Sequence, residues 1–182
     1  MSAPDLRDAL VLRPQTRADD AAVAALVDSA FATDAGGAGT VERRLLGELR
    51  ADGDLVPELT LVAEVDGAVV GQVACSTGDL AGRPSIGLGP ICVRPDLQGR
   101  GIGAALMSAV IATAERRGDP VIVLLGDPDY YGFFGFVPAV DLGIGSPGPW
   151  PDRFFQAKAL RAWRPELAGP FRYAPAFERL KD

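Results

Sequence analysis

Residues 98–103 read Q-G-R-G-I-G, three alternating glycines where an alanine-rich helix should begin. Glycine is a poor helix former, so the chain either bends tightly here or lets something come close to its backbone. A helix start offers unpaired N–H groups and a positive dipole end. Without Cβ atoms at Gly99, Gly101 and Gly103, its amides can take an anion such as a phosphate directly. Arg100 adds positive charge at the same place. The bland alternative is a turn that packs the helix close to a strand. Two other ligand readings are weakened by the residues that follow. An NTPase phosphate loop ends in G-K-S/T, whereas this one runs on as GIGAAL. A dinucleotide fingerprint follows its strand at once and needs a further glycine, whereas here RPDLQ intervenes.

Other chemistries lack their parts. The chain has no histidine, and Cys75 and Cys92 are its only cysteines. That set makes neither a usual zinc site nor a Ser-His-Asp or Cys-His unit. Both cysteines lie in apolar strand-like runs and read as buried, reduced thiols, which suits the cytoplasm.

The elements that position the loop can be read from periodicity. Residues 9–16 form a short strand ended by Pro14. Residues 17–31 form a helix, with Asp19 and Asp20 at its positive end and Val23, Leu26, Val27 and Ala30 on one face. ATDAGGAG, 32–39, is a loop, and 40–53 is a second helix with Val41, Leu45, Leu46 and Leu49 on one face. Residues 59–80 form a hairpin turning at Asp66-Gly67, and GDLAGRP links it to a further strand, 85–95. The loop helix, with Ile102, Leu106, Ala109, Val110 and Thr113 at helical spacing, ends near Arg117 before Gly118. Residues 120–127, PVIVLLGD, form a strand buried on both faces. An aromatic turn, DPDYYGFFGF, follows. Past Val137 the chain is Pro/Gly-rich, with two weak strand candidates, FFQAKAL and GPFRYA. The order β-α-α-β-β-β-α-β-α-(β) is α+β or α/β, with one right-handed crossover over 86–126.

Composition bounds the partners. The chain has 182 residues, 48% hydrophobic and 23% charged, with a net charge of −6. That fits one folded domain with a real core and disfavours broad electrostatic binding of nucleic acid. The N-terminal MSAPDLRDAL lacks a charged start followed by an apolar block, so no signal peptide is read. No apolar run nears the ~20 residues that span a bilayer, so no membrane partner is expected.

Together the motifs resemble a known family. Q-G-R-G-I-G after L-G-P-I-C-V-R-P-D is similar to the acyl-CoA motif Q/R-x-x-G-x-G/A of the GNAT N-acetyltransferases, matching at Gln98, Gly101 and Gly103. Y-G-F-F-G-F resembles the family's Y-x-x-x-G-F element, with Tyr131, Gly135 and Phe136 in place. The GDPDYYGFFGF wording looks most like the YhbS-like bacterial subgroup. The resemblance is strong over about 59–138 and weak before it.

It implies a GNAT fold: a mixed central sheet that splays between its fourth and fifth strands, about 86–93 and 121–126, flanked by helices. It implies one such domain over 1–182, with a core of about 9–138 and a C-terminal extension, 139–182. Gly89-Pro90 points independently to an irregular strand at the splay, since proline cannot donate to a ladder. By the same resemblance the cosubstrate is acetyl-CoA, with no metal. Its pantetheine arm would lie along Ile91, Cys92 and Val93, and its pyrophosphate on Gln98, Gly99, Arg100, Gly101, Ile102 and Gly103. An amine, on a small molecule or a protein, would attack the thioester directly. Tyr131, or its neighbour Tyr130 if the register slips, would protonate the departing thiolate.

Two departures stand out. Many relatives carry a glutamate base on the fourth strand, and here that strand is SIGLGPICV. Deprotonation would need water, a carboxylate from elsewhere such as Glu64 or Asp79, or an amine of low pKa, and no base is assigned. Relatives also often have asparagine after the fifth strand, where this chain has Gly126-Asp127. Other readings stay open: a silent acyl-CoA-binding module, a covalent role for Cys92, and a nucleotide-binding oxidoreductase using Asp127. Trp150, Phe154, Phe155 and Trp163 read as core, with a pocket or an oligomer interface as alternatives. A homodimer is one assembly compatible with the sequence.

Overall fold

In the computed structural model, residues 9–32 and 38–180 are described. The N-terminal stretch read as lacking a signal peptide, and most of the loop read at 32–39, lie outside that set. One mixed sheet carries the architecture, in the order β1-β2-β3-β4-β5-β8-β6. Its strands are β1 (Leu10–Pro14), β2 (Leu61–Val65), β3 (Ala68–Leu80), β4 (Arg83–Val93), β5 (Val121–Leu125), β6 (Val137–Pro138) and β8 (Phe155–Ala159). Two short strands, β7 (Ile144–Gly145) and β9 (Gly169–Arg172), pair with each other, and β9 also pairs with the end of β3. The helices are α1 (Asp20–Ala30), α2 (Ala38–Asp52), α3 (Ile102–Arg117), α4 (Pro128–Tyr131) and α5 (Pro175–Arg179).

The alternation of β2 explains why both faces of the sheet are covered. Leu61 and Ala63 point into the larger core, where Ile102, Leu106, Met107, Val110 and Ala114 of α3 pack. Val62 points the other way, into a second layer with Val23, Leu26 and Val27 of α1, Leu46 of α2, Ala74 and Cys92. Burial of such large aliphatic side chains is worth about 1.5–3 kcal/mol each before the entropy cost. Met107 and Ala114 take the buried places on α3 that periodicity gave to Ala109 and Thr113.

The α2 stripe differs from expectation in one respect. Leu45, Leu46 and Leu49 are buried, but Val41 is 46% exposed. The helix is rotated so that Glu42, three residues before Leu45, takes the inward-facing position instead. Between β1 and α1, Arg13 bridges Asp19 and Glu64, and Asp19 also accepts from the backbone N–H of Thr16 at 2.7 Å.

Both hairpins form. Asp66 and Gly67 turn β2 into β3, and Ala81 and Gly82 turn β3 into β4, all four with positive φ. The opening lies further along β4. This strand runs parallel to β5 only at Ile86↔Ile122 and Gly87↔Val123, then diverges. On the β3 side its register shifts between Val73 and Cys75, opposite Gly89-Pro90, whose peptide is cis. Beyond Gly87, the edge of β4 that faces β5 has no ladder partner, as the splay required.

The late strands do more than extend a tail. β8 pairs with β5 along its whole length, Val121↔Ala159 to Leu125↔Phe155, and with β6 on its other side. Phe155 and Phe171 pack with Val121, Val123 and Ala157 in a third core region, with Trp163 and Tyr173 against it.

Candidate active site

The glycine loop leads from β4 into α3. Gly99 and Gly101 have φ of 72° and 87°, a region side-chain-bearing residues rarely adopt, and Gly101 is the N-cap of α3. The first helical bond runs from Ala105 N–H to Gly101 O at 2.9 Å. The N–H groups of Ile102, Gly103 and Ala104 therefore have no helical acceptor and present donors at the positive end of a sixteen-residue helix. Gln98 braces the approach by donating from Nε2 to the carbonyl of Val93 at 3.1 Å.

A cavity of about 500 Å³ opens over this helix start and along β4. Ile91, Cys92, Val93, Gln98, Gly99, Gly101, Ile102 and Gly103 line it, as do Tyr130 and Tyr131. Of the residues expected at the cofactor, Arg100 alone is absent from the lining; it is exposed beside the loop. A chain of backbone donors backed by an apolar strand suits a ligand with a diphosphate at one end and an uncharged arm at the other.

The two tyrosines are delivered by α4. Asp127 caps this helix by accepting from Asp129 N–H at 2.9 Å, and Pro128 occupies its first turn. That carboxylate is thus committed to the turn. The Tyr130 hydroxyl lies over the loop, 2.9 Å from where a Cβ at Gly103 would stand. Tyr131 packs edge-on against Tyr130 and Phe136, with ring centroids 4.9 and 6.0 Å apart. Burial, then the neighbouring Tyr130 and Asp127, push its phenol up to about 12. A phenol so placed stays protonated at neutral pH and can donate to a thiolate.

The glycine after β5 has a steric explanation. A Cβ at Gly126 would lie 2.2 Å from Cε2 of Tyr131, so the ring occupies the space a side chain would need. Gly126 is itself held by β8: its N–H donates to Phe154 O at 2.9 Å, and its carbonyl accepts from Gln156 Nε2 at 2.9 Å. The tail thereby fixes the floor on which Tyr131 rests.

Cys92 lies on the cavity wall, but burial and then the charge of Glu42 push its thiol up to about 12. A thiol held protonated beside a carboxylate is a poor nucleophile. Cys75 is fully buried and shifted the same way.

A second cavity, of about 410 Å³, shares Phe31, Ile91 and Tyr131 with the first. Leu88, Gly89, Pro90 and Leu125 border it at the splay. Trp150, Tyr173, Phe177 and Glu178 come from the tail, and Glu42 from α2. Trp150 is thus a pocket residue, stacked at 6.5 Å on the core residue Phe155, while Phe154 carries Arg153 over its ring. The acids suggested by the sequence are elsewhere. Glu64 is paired with Arg13, and Asp79 accepts from Gly82 N–H in the β3–β4 turn. Glu42 was missed, although its i, i+3, i+4, i+7 spacing with Leu45, Leu46 and Leu49 marks it as inward-facing. Among the described residues no helix is long and apolar enough to cross a membrane.

Comparison with known proteins agrees with this geometry. Residues 26–134 match the acetyltransferase (GNAT) family model. The chain is 30% identical over 141 residues to the uncharacterized N-acetyltransferase YjhQ of Escherichia coli K12, covering 73% of this chain and 78% of that protein. It superposes with a TM-score of 0.84 on the E. coli GNAT family N-acetyltransferase YhbS solved with CoA, at 28% identity, covering 98% and 96% of the two chains. A Brucella melitensis GNAT family acetyltransferase solved with acetyl-CoA aligns at 32% identity and a TM-score of 0.74, covering 92% and 97%. A glycine-built helix start beside a splayed sheet, a tyrosine over the opening, and these relatives agree: the chain belongs to the GNAT family of N-acetyltransferases.

Proposed function

We propose that the protein transfers the acetyl group of acetyl-CoA to a primary amine by direct attack on the thioester. In this reading the pyrophosphate rests on the free amides at the start of α3. The pantetheine arm runs along Ile91–Val93, where the edge of β4 that faces β5 lacks a partner among the described residues. The thioester then reaches the junction of the two cavities. Alignment of amine and carbonyl supplies much of the rate, and Tyr131 supplies the proton that the sulfur needs.

One observation carries this assignment: Tyr131 lines both the cavity over the glycine loop and the cavity beyond it. A donor and an acceptor entering from the two sides would meet beside this side chain. The acceptor is a small-molecule or protein amine. We read residues 1–182 as a single catalytic domain working in the cytoplasm.

Calorimetry with acetyl-CoA, paired with thiol release over a panel of amines, tests the proposal. Saturable binding and amine-dependent thiol release are expected. Failure to bind acetyl-CoA overturns the reading. Binding with no thiol release for any amine makes the chain an acyl-CoA-binding module.

A further inference from the structure

The second cavity carries a chemical signature of its own. Its walls are mostly apolar or aromatic, with Leu88, Leu125, Trp150, Tyr173 and Phe177 prominent. Two carboxylates, Glu42 and Glu178, line it, and among the described residues no basic side chain does. Oε2 of Glu42 is sealed from solvent and receives no hydrogen bond from any described residue. A buried acceptor without a donor costs about 1–3 kcal/mol, so a donor is missing from the arrangement. Among the described residues, the remaining wall offers no donor of positive charge. Oε2 is turned into the protein, but the Glu42 side chain lines the cavity, so an alkylammonium there would pair with the carboxylate from its cavity side.

From these facts, and resting on the acetyl transfer proposed above, we infer that Glu42 is the catalytic base, and that the acceptor is a monoamine on an apolar body. The ammonium meets Glu42 while the hydrocarbon part fills the space between Trp150, Tyr173 and Phe177. A polyamine or aminoglycoside would leave further ammonium groups against apolar walls, at a large desolvation cost. In the reaction, Glu42 takes one proton from the ammonium, leaving a neutral amine. The nitrogen lone pair forms a bond to the thioester carbon, and the C–S bond breaks from the tetrahedral species. Tyr131 gives its proton to the thiolate, and the tyrosinate recovers one from the nascent amide nitrogen. Glu42 then returns its proton to water, so each turnover releases one proton, free coenzyme thiol and the amide.

The test uses the full chain with phenethylamine, isoamylamine and spermidine as acceptors. The two monoamines should exceed spermidine in kcat/KM by about tenfold or more. Glu42→Gln should lose about a hundredfold in kcat/KM on phenethylamine while keeping its acetyl-CoA affinity and its Tm. The loss should shrink by about tenfold on β,β-difluorophenethylamine, whose weaker basicity leaves more of it neutral and less in need of a base. Acetylation of spermidine but of neither monoamine overturns the inference and leaves acetyl transfer standing. So does acetyl-CoA binding with neither monoamine acetylated. Activity of Glu42→Gln within about threefold of wild type, or an equal deficit on both aromatic amines, removes the base role. Failure of the wild-type chain to bind acetyl-CoA instead defeats the underlying reading.

Discussion

Gly126 and Tyr131 are in such close contact that a single methyl group cannot be placed between them: a Cβ on Gly126 would stand 2.2 Å from Cε2 of the ring. The rigid end of β5 thus sets the position of the phenol. Gly126→Ala must push the ring toward the cavity or displace the strand end. Overpacking of this kind costs about 1–3 kcal/mol. A Tm decrease and reduced turnover are expected together, measured by thermal melting and thiol release. Wild-type values of both would refute the contact as a constraint.

Tyr131→Phe keeps the ring and deletes only the acid. Acetyl-CoA affinity should be unchanged while kcat falls by about a hundredfold. Because the phenol is pushed up to about 12, the wild-type pH–rate profile should show no falling limb from this group near neutrality. Steady-state kinetics across pH checks both points, and unaltered turnover would remove the role.

Gly103 and Tyr130 should be coupled. A Cβ at Gly103 would meet the Tyr130 hydroxyl at 2.9 Å, and its next neighbour is Cγ2 of Val93 at 3.7 Å. Gly103→Ala alone should weaken acetyl-CoA binding by displacing the tyrosine over the loop. Adding Tyr130→Phe removes the colliding atom, so the double variant should recover part of the loss. Calorimetry of the four proteins completes the cycle, and strictly additive losses would contradict the contact.

Asp19 links stability to pH. Hydrogen bonds from Arg13, opposed by burial and reinforced by Thr16, hold its carboxyl well below its ordinary 3.8. A group depressed on folding stabilises fully above its unfolded value and loses that contribution as pH falls through the folded one. Asp19→Asn should therefore cost about 1–3 kcal/mol at neutral pH, nearer the low end because Arg13 is partly solvated. The gap to wild type should narrow below about pH 4. Denaturant titrations at pH 7 and in acid measure it, and a gap independent of pH would exclude the ion pair as its source.

Cys92 should prove dispensable for chemistry. With its thiol pushed up to about 12, little thiolate exists at neutral pH. Cys92→Ala should keep turnover within a few-fold, and wild-type protein should alkylate slowly. Complete loss of turnover in a folded Cys92→Ala variant would reopen a covalent route.

The parts of this molecule that were legible in sequence are those governed by local rules. The Asp66-Gly67 turn, the glycines ahead of α3 and the Gly118 cap each state a backbone requirement within a few residues. The splay was legible through the family resemblance, with Gly89-Pro90 as an independent hint inside a strand that otherwise reads cleanly. What escaped depends on distant packing. Val41 was placed inward by its apolar type, whereas the spacing with Leu45, Leu46 and Leu49 favours Glu42, and packing against α1 and the tail makes that choice visible. Gly126 looked like a departure from the family pattern, whereas the need for it comes from a ring five residues later. β8 had weak periodicity because Phe155, Gln156 and Ala157 are all buried, so no alternation of polarity marks it.

The seating of the C-terminal segment between β5 and β6 also divides the labour of the polypeptide. The cavity over the glycine loop draws nothing from residues past Tyr131, whereas the one beyond it takes Pro147, Trp150, Tyr173 and Phe177 from there. On the proposed function, the activated carbonyl is handled by residues up to Tyr131, while the choice of its recipient is shared between that part, through Glu42 and Leu88, and the tail. Exchanging the last forty or so codons could redirect the enzyme toward new recipients, provided that Phe154 and Gln156 still clasp the glycine beneath the tyrosine.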